Sequence, residues 1–260
     1  MKSLTKVVSS ARRDRDLEAR VRPYLPTSAT VYVFLEAEST MELAHQLAEA
    51  GAPHGTFVLA TQQTQGKGRL GRTWNSPKGG LYGSIILKPT RPDTELPQLS
   101  LIAGLAVAEA IRELTGLLPS IRWPNDLLIG SLKIAGILIE RRDAVVVGIG
   151  VNVTTRLKEL PKEATTLAAQ GAECELFRLA GLVHQRLLAW YDEWAQSGFA
   201  RIRETLQPWM AGFGQPVRIS AGSEEFEGTA SDLDESGRLV VRLDSGVLKI
   251  FDAGEVTLLH

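Results

Sequence analysis

The sequence predicts an α+β protein: a mixed, largely antiparallel sheet with helices packed on it, followed by a small five-stranded β-barrel. Three observations predict this. Strand-like runs at 121–123, 132–140 and 144–153 follow one another closely, with Gly130-Ser131 and Arg141-to-Asp143 as hairpin turns. A long amphipathic helix precedes them over about 96–115. The composition changes at Pro208 to Gly214, after which five short strand-like runs recur to the end. These breaks divide the chain into an extension over 1–27, a main domain over 28–210 and a small domain over 211–260.

The elements follow in order. VYVFLE (31–36) reads as a strand. Ser39 and Glu42, three apart, form a capping box for a helix over 40–50 that stops at Gly51. TFVLAT (56–61) leads into a glycine-rich stretch over 62–80, and LYGSIILK (81–88) returns as a strand. In the long helix, Leu99, Ile102, Leu105 or Ala106, and Ile111 form the buried side, and Gly116 ends it. Further helices fit 174–196 and 199–207, and the tail strands are PVRIS, EFEGTASDLD, RLVVRL, VLKIFD and EVTLL.

Composition excludes several classes. Twenty-nine Lys and Arg against thirty Asp and Glu give a net charge of −1, so nothing global favours nucleic acid. No apolar run reaches the roughly 18 residues of a membrane span, and the first ten residues lack a secretory core. Cys174 is the only cysteine, so there is neither a disulfide framework nor a thiolate zinc site, and a cytoplasmic location is expected. Charge is uneven: residues 1–22 are basic, 214–260 acidic, and 62–80 hold Lys67, Arg69, Arg72 and Lys78 without an acid. The basic lead-in is too short for a winged helix-turn-helix and reads as a solvated face. A local cationic patch in a neutral chain suits a small anionic ligand.

Three segments carry chemistry. In Gly66-Lys67-Gly68-Arg69-Leu70-Gly71-Arg72-Thr73-Trp74, glycines allow close backbone approach and arginines can fork onto a carboxylate or phosphate. It is neither a Walker A loop nor a dinucleotide fingerprint. In Arg122-Trp123-Pro124-Asn125-Asp126, the Asn and Asp offer an acceptor and an anion at a strand end, and the alternative is a plain turn with Trp123 in the core. Lys133 shares the strand face of Ala135, Ile137 and Ile139 in an alternating reading, where it either snorkels at an edge or reaches into a pocket. Val147, Ile149 and Val151 alternate with Gly148, Gly150 and Asn152, leaving a bare backbone face on which packing or a flat aromatic group such as adenine fits. The histidines at 45, 54, 184 and 260 are scattered, and Cys174 reads as structural.

Taken together with Ser39-Thr40, Lys133-Ile134-Ala135-Gly136-Ile137-Leu138 and Gly148-Ile149-Gly150-Val151-Asn152, these motifs resemble the biotin protein ligases from about residue 31 to 260. The resemblance implies the biotin/lipoate ligase catalytic fold with an SH3-like C-terminal barrel. It implies a two-step activity: biotin and ATP, with Mg2+, give biotinyl-5′-AMP, and a lysine of a biotin carboxyl carrier protein then attacks it. It implies that Ser39, Thr40, Gln63, Gly66 and Gly136 hold biotin. Arg69, Arg72 and Lys133 would meet the carboxylate and α-phosphate. Trp74, Asn125, Gly148, Gly150 and Asn152 would line the nucleotide site. Asp126 would lie near the reaction centre and assist magnesium. Met41 replaces the family's usual Asn, Lys67 replaces the first Arg of its loop, and the DNA-binding domain of bifunctional members is missing, so no DNA partner is expected. Two alternatives stay open: a lipoate or octanoate ligase or transferase of the same fold, and a non-enzymatic biotin or adenylate-binding module. Strand edges such as 144–153 would pair two subunits in a homodimer or dock the carrier.

Overall fold

The computed structural model describes residues 13–259. The start of the basic lead-in, residues 1–12, and His260 lie outside the described residues. Helix α1 (Arg15–Val21) is capped by the Asp14 carboxylate, which accepts the Leu17 N–H at 2.9 Å. Then come β1 (Val31–Phe34), α2 (Thr40–Glu49), β2 (Phe57–Ala60), β3 (Gly80–Leu87), α3 (Gln98–Thr115), β4 (Ser120–Arg122), β5 (Asp126–Ile129), β6 (Leu132–Arg141) and β7 (Val145–Asn152). These strands form one seven-stranded sheet in the order β1-β2-β3-β7-β6-β5-β4. Only β1 and β2 are parallel, because α2 crosses over between them, and all other pairs are antiparallel.

The two faces of this sheet are covered unequally, and that positions the site. One face is closed by α3 and α4 (Leu176–Ser197), which pack on Leu59, Ile85, Val147, Ile149, Val151 and Ile137. Helix α3 fits this role because Leu99, Ile102, Leu105, Ala106 and Ile111 are all fully buried, and Gly116 ends it in the left-handed region at φ 73°. The polar groups taken into this core are paired, as where the buried Trp194 indole donates to the Gln98 Oε1 at 2.6 Å. On the opposite face α2 covers only Phe34, Val58, Ala60, Ile86 and Val146. The middle of that face, over Gly136, Gly148 and Gly150, is left to the loops.

Three expectations are corrected here. Strand β7 is not an edge: it lies between β3 and β6, so 144–153 cannot pair with another chain. The turn expected at Asn125-Asp126 is shorter than that: Asp126 already opens β5 and pairs directly with Arg122 across a tight Trp123–Asn125 link. Lys133 does not share a face with Ala135 and Ile137. Leu127 pairs with Ala135 while the next residue, Leu128, pairs with Lys133, so Ile134 is an extra residue and the alternation slips by one. The bulge turns Lys133 to the side of Gly136, whose absent Cβ would lie 3.4 Å from the Lys133 Cε.

The tail does not close into a barrel. After α5 (Ala200–Leu206), strands β8 (Pro216–Ala221), β9 (Glu224–Leu233), β10 (Leu239–Leu243), β11 (Leu248–Phe251) and β12 (Glu255–Leu258) form an open sheet in the order β11-β10-β9-β8-β12. The end strands are consecutive in sequence, joined by Asp252-Ala253-Gly254, a link that extends to only about 14 Å. A flat five-stranded sheet would be about 19 Å across, so the sheet must coil. Among the described residues no ladder joins β11 to β12, so the coiled sheet stays open. Val217, Ile219, Leu233, Leu239 and Val241 join the same apolar core as α3. The Trp123 indole, 4% exposed, anchors this sheet by donating to the Gly237 carbonyl at 3.1 Å.

Candidate active site

The uncovered part of the sheet face holds a cavity of about 290 Å3. Its two ends differ in chemistry. At one end the start of α2 presents Ser39, Thr40 and Met41. The expected capping box does not form: Ser39 is in the N-cap position, but its hydroxyl makes no cap bond, and Glu42 points instead to Lys67 and Arg142. Gln63 caps the helix from outside. Its Oε1 accepts the Thr40 N–H at 2.8 Å and the Thr40 hydroxyl at 3.1 Å, and its Nε2 donates to Ser76 Oγ at 2.8 Å. Ser84 then donates to Thr40 Oγ1 at 2.8 Å. The result is a buried, neutral hydrogen-bond chain beside a Ser39 hydroxyl that is 2% exposed and has no partner. A buried, unpaired hydroxyl lining a cavity is a ready contact for a polar ligand.

The floor is the bare backbone of Gly136, Gly148 and Gly150. A Cβ on Gly150 would lie 2.5 Å from the Trp74 indole, one on Gly136 2.9 Å from it, and one on Gly148 2.5 Å from the Met41 sulfur. The flat aromatic group expected on this face is therefore the chain's own Trp74.

The other end is charged. Asp126 takes the Lys133 ammonium at 2.5 Å and the Arg122 guanidinium at 2.8 Å. Arg69 donates to Asn125 Oδ1 at 2.9 Å, and Asn125 is fixed in turn by donating to the Ile137 carbonyl at 3.0 Å. Burial lowers the Arg69 pKa from its ordinary value, the mark of a guanidinium held partly out of water. Arg72 is paired with Glu255, the first residue of β12, so the tail sheet reaches the cavity. Lys67 meets Glu42 at 3.2 Å, and Arg142 holds the same carboxylate at 2.9 Å. The Arg142 bond is the larger cause of a Glu42 pKa lowered to about 2. The loop that carries no acid of its own thus finds counter-ions on α2 and β12.

Of the site residues expected from sequence, Ser39, Thr40, Gln63, Arg69, Arg72, Trp74, Asn125, Asp126, Lys133, Gly136, Gly148 and Gly150 line this cavity together. Gly66 and Asn152 do not. Gly66 is buried where the limbs of the loop meet: its carbonyl accepts the Trp74 N–H at 2.9 Å, and a Cβ would lie 2.3 Å from the Trp74 carbonyl oxygen. Asn152 lies on a second cavity of about 290 Å3, also bounded by Arg72, Trp74, Arg122 and Lys133. Its Oδ1 is buried without a partner, as is the Trp74 indole nitrogen. Trp74 is therefore the wall between two recesses. Glu42 and Glu255 carried no sequence signal as site residues, because each lies far along the chain from the cation it meets. Cys174 stays outside: burial pushes its thiol up to about 11, as expected of a structural cysteine.

A neutral recess that hydrogen-bonds, joined to a cluster of cations, suits an enzyme that activates a small carboxylic acid against a phosphate. The comparisons agree. The chain matches the Biotin/lipoate A/B protein ligase family over residues 34–153 and the Biotin protein ligase C terminal domain over 212–259. It is 36% identical over 227 residues to the Bifunctional ligase/repressor BirA of Bacillus subtilis, covering 83% of this chain and 70% of that one. It is 32% identical to a Biotin--[acetyl-CoA-carboxylase] ligase of Paracoccus denitrificans, over 84% of this chain and 96% of that one. A solved Biotin protein ligase from Aquifex aeolicus in complex with biotin and ATP superposes with a TM-score of 0.78 at 32% identity, covering 89% of this chain and 99% of that one. The chain belongs to the biotin protein ligases.

Proposed function

We propose that this enzyme activates biotin as biotinyl-5′-AMP and transfers it to a lysine of a biotin carboxyl carrier domain, with residues 28–210 holding the reactants and residues 211–260 supplying Glu255. The observation that carries the reading is the convergence, in one cavity, of the Ser39–Thr40–Gln63 chain and the Lys133, Arg69 and Asn125 cluster. Biotin needs both ends. Its cyclic urea offers a carbonyl acceptor and two N–H donors, which the Ser39 and Thr40 hydroxyls on the cavity wall can meet. Met41, Ile137 and Leu138 give apolar lining for its tail. A dithiolane or a plain alkyl chain would leave the Ser39 hydroxyl unpaired, at about 1–3 kcal/mol. This favours biotin over lipoate or octanoate.

Lys133 and Arg69 draw the carboxylate and the α-phosphate together and offset the charge that builds on phosphorus. A carboxylate oxygen bonds to the α-phosphorus, and the bond to the bridging oxygen of pyrophosphate breaks. The second cavity, with the unpaired Asn152 Oδ1 and Trp74 Nε1, offers an acceptor and a donor for a nucleoside. In the second step the carrier's neutral lysine amine attacks the acyl carbon of the mixed anhydride and AMP leaves, so no nucleophile of this chain is required. The residues fit a magnesium ion that enters as part of the nucleotide substrate. Asp126 is the carboxylate at the charged end of the main cavity, and among the described residues no group of three His, Cys, Asp or Glu forms a metal cage. Among the described residues no helix is long and apolar enough to cross a membrane. Dependence on ATP suits a cytoplasmic reaction.

Titration calorimetry with biotin, lipoate and octanoate on the full chain and on Ser39→Ala tests the reading. Biotin alone should saturate the protein, with Ser39→Ala weakened roughly tenfold. Equal binding of lipoate would overturn the choice of acid.

A further inference from the structure

Arg122 stands immediately before the Trp123–Asn125 link and has no part in the scheme above. Resting on the adenylation reading, we propose that Arg122 binds the pyrophosphate as it leaves.

Position is the first argument. Arg122, Arg72 and Lys133 are the cations that border both cavities. In-line displacement at phosphorus places the entering carboxylate and the leaving oxygen on opposite sides. Cations gathered only around the carboxylate cannot also meet the charge that departs. Arg69 is tied to Asn125, and Lys133 lies 5.2 Å from the centre of the Trp74 ring. Arg122 reaches the junction from β4, the strand at the end of the main sheet.

Charge is the second. Lys67, Arg69, Arg72, Arg122 and Lys133 line the two cavities against Asp126, Glu163 and Glu255, five cations against three carboxylates. Asp126 alone serves both Arg122 and Lys133. A polyanion can therefore take Arg122 and leave Asp126 paired with Lys133. Availability is the third. Arg122 is directly opposite Asp126 in the β4–β5 ladder, so its stem is held, while its side chain keeps 30% exposure and gives one bond, from Nη2, to that carboxylate. The remaining donors of the guanidinium fork suit two phosphate oxygens.

In the step itself the new bond joins a biotin carboxylate oxygen to the α-phosphorus. The electron pair of the broken phosphorus–oxygen bond leaves on pyrophosphate, where Arg122 meets it, and no proton moves.

The test compares wild type, Arg122→Gln and Arg122→Lys in two assays: biotin-dependent exchange of labelled pyrophosphate into ATP, and transfer of biotin to a carrier domain from supplied biotinyl-5′-AMP. The second assay contains no pyrophosphate. Arg122→Gln should lower exchange about 100-fold and raise the KM for pyrophosphate about tenfold, with Arg122→Lys recovering part of both and transfer held within about twofold. Loss of exchange and transfer together would make Arg122 a structural partner of Asp126 and overturn the proposal, as would unchanged exchange. Failure of wild type to exchange would defeat the adenylation reading instead, so the two failures are distinguishable.

Discussion

The two ends of the main cavity are built by different physics. At the α2 end, Gln63, Thr40, Ser76 and Ser84 satisfy one another through neutral bonds of 2.8–3.1 Å, with Thr40 and Ser84 buried. At the loop end every cation has a counter-charge or an amide from elsewhere: Lys133 and Arg122 on Asp126, Arg72 on Glu255, Lys67 on Glu42, Arg69 on Asn125. The comparison teaches a division of labour. The neutral end is preorganised, because breaking a buried hydrogen-bond chain strands its members. The charged end is provisional, because its ion pairs are partly exposed and an anionic substrate can replace the carboxylate of each. On the function proposed above, recognition belongs to the first end and catalysis to the second.

The largest expected effect comes from removing charge at the second end. Lys133→Ala should lower the adenylation rate about 10^3-fold at saturating biotin while leaving biotin affinity within a few-fold, as read by rapid-quench kinetics beside calorimetry. Next is the floor that joins the ends. Gly150→Val places branched carbons where Trp74 packs, and should cost roughly 2 kcal/mol in urea unfolding as well as activity. Third is the neutral end: Gln63→Leu removes three bonds and should raise the biotin KM by about tenfold or more with a smaller change in kcat.

The smallest effect is electrostatic. Folding depresses the Glu42 pKa from 4.5 to about 2, so its pairing with Arg142 and Lys67 stabilises the fold fully above about pH 4.5 and is lost as the pH falls toward 2. The carboxylate is 36% exposed, so solvent screening holds the contribution below about 1 kcal/mol. Glu42→Gln should lower stability at neutral pH by no more than that amount, leave it unchanged near pH 2, and so flatten the acid limb of a stability–pH curve measured by thermal melts.

The same division decides how much could be read from sequence. Strand and helix positions were legible because hydrophobic alternation reports burial directly, and the glycine-for-side-chain pattern of Gly148 and Gly150 revealed a close approach. What approached them, Trp74 and Met41, depends on tertiary placement. The parity of Lys133 was misread because a bulge at Ile134 leaves no mark in an apolar run. The barrel was misread because five short strands specify a sheet but not the pairing of its ends. The Gly/Arg loop was legible as cationic, whereas its counter-ions were not. Glu42 and Glu255 stand 25 and 183 positions from their partners Lys67 and Arg72, and no local pattern links them.

One measurement tests the division directly: biotin-dependent pyrophosphate–ATP exchange by wild type, Lys133→Ala and Gln63→Leu over a range of biotin concentrations, with lipoate as the control acid. A site with separate recognition and catalytic ends predicts exchange with biotin alone, lost rate at saturation for Lys133→Ala, and a raised KM with a largely kept rate for Gln63→Leu. Exchange that falls at saturation in Gln63→Leu while Lys133→Ala shifts only KM would contradict it.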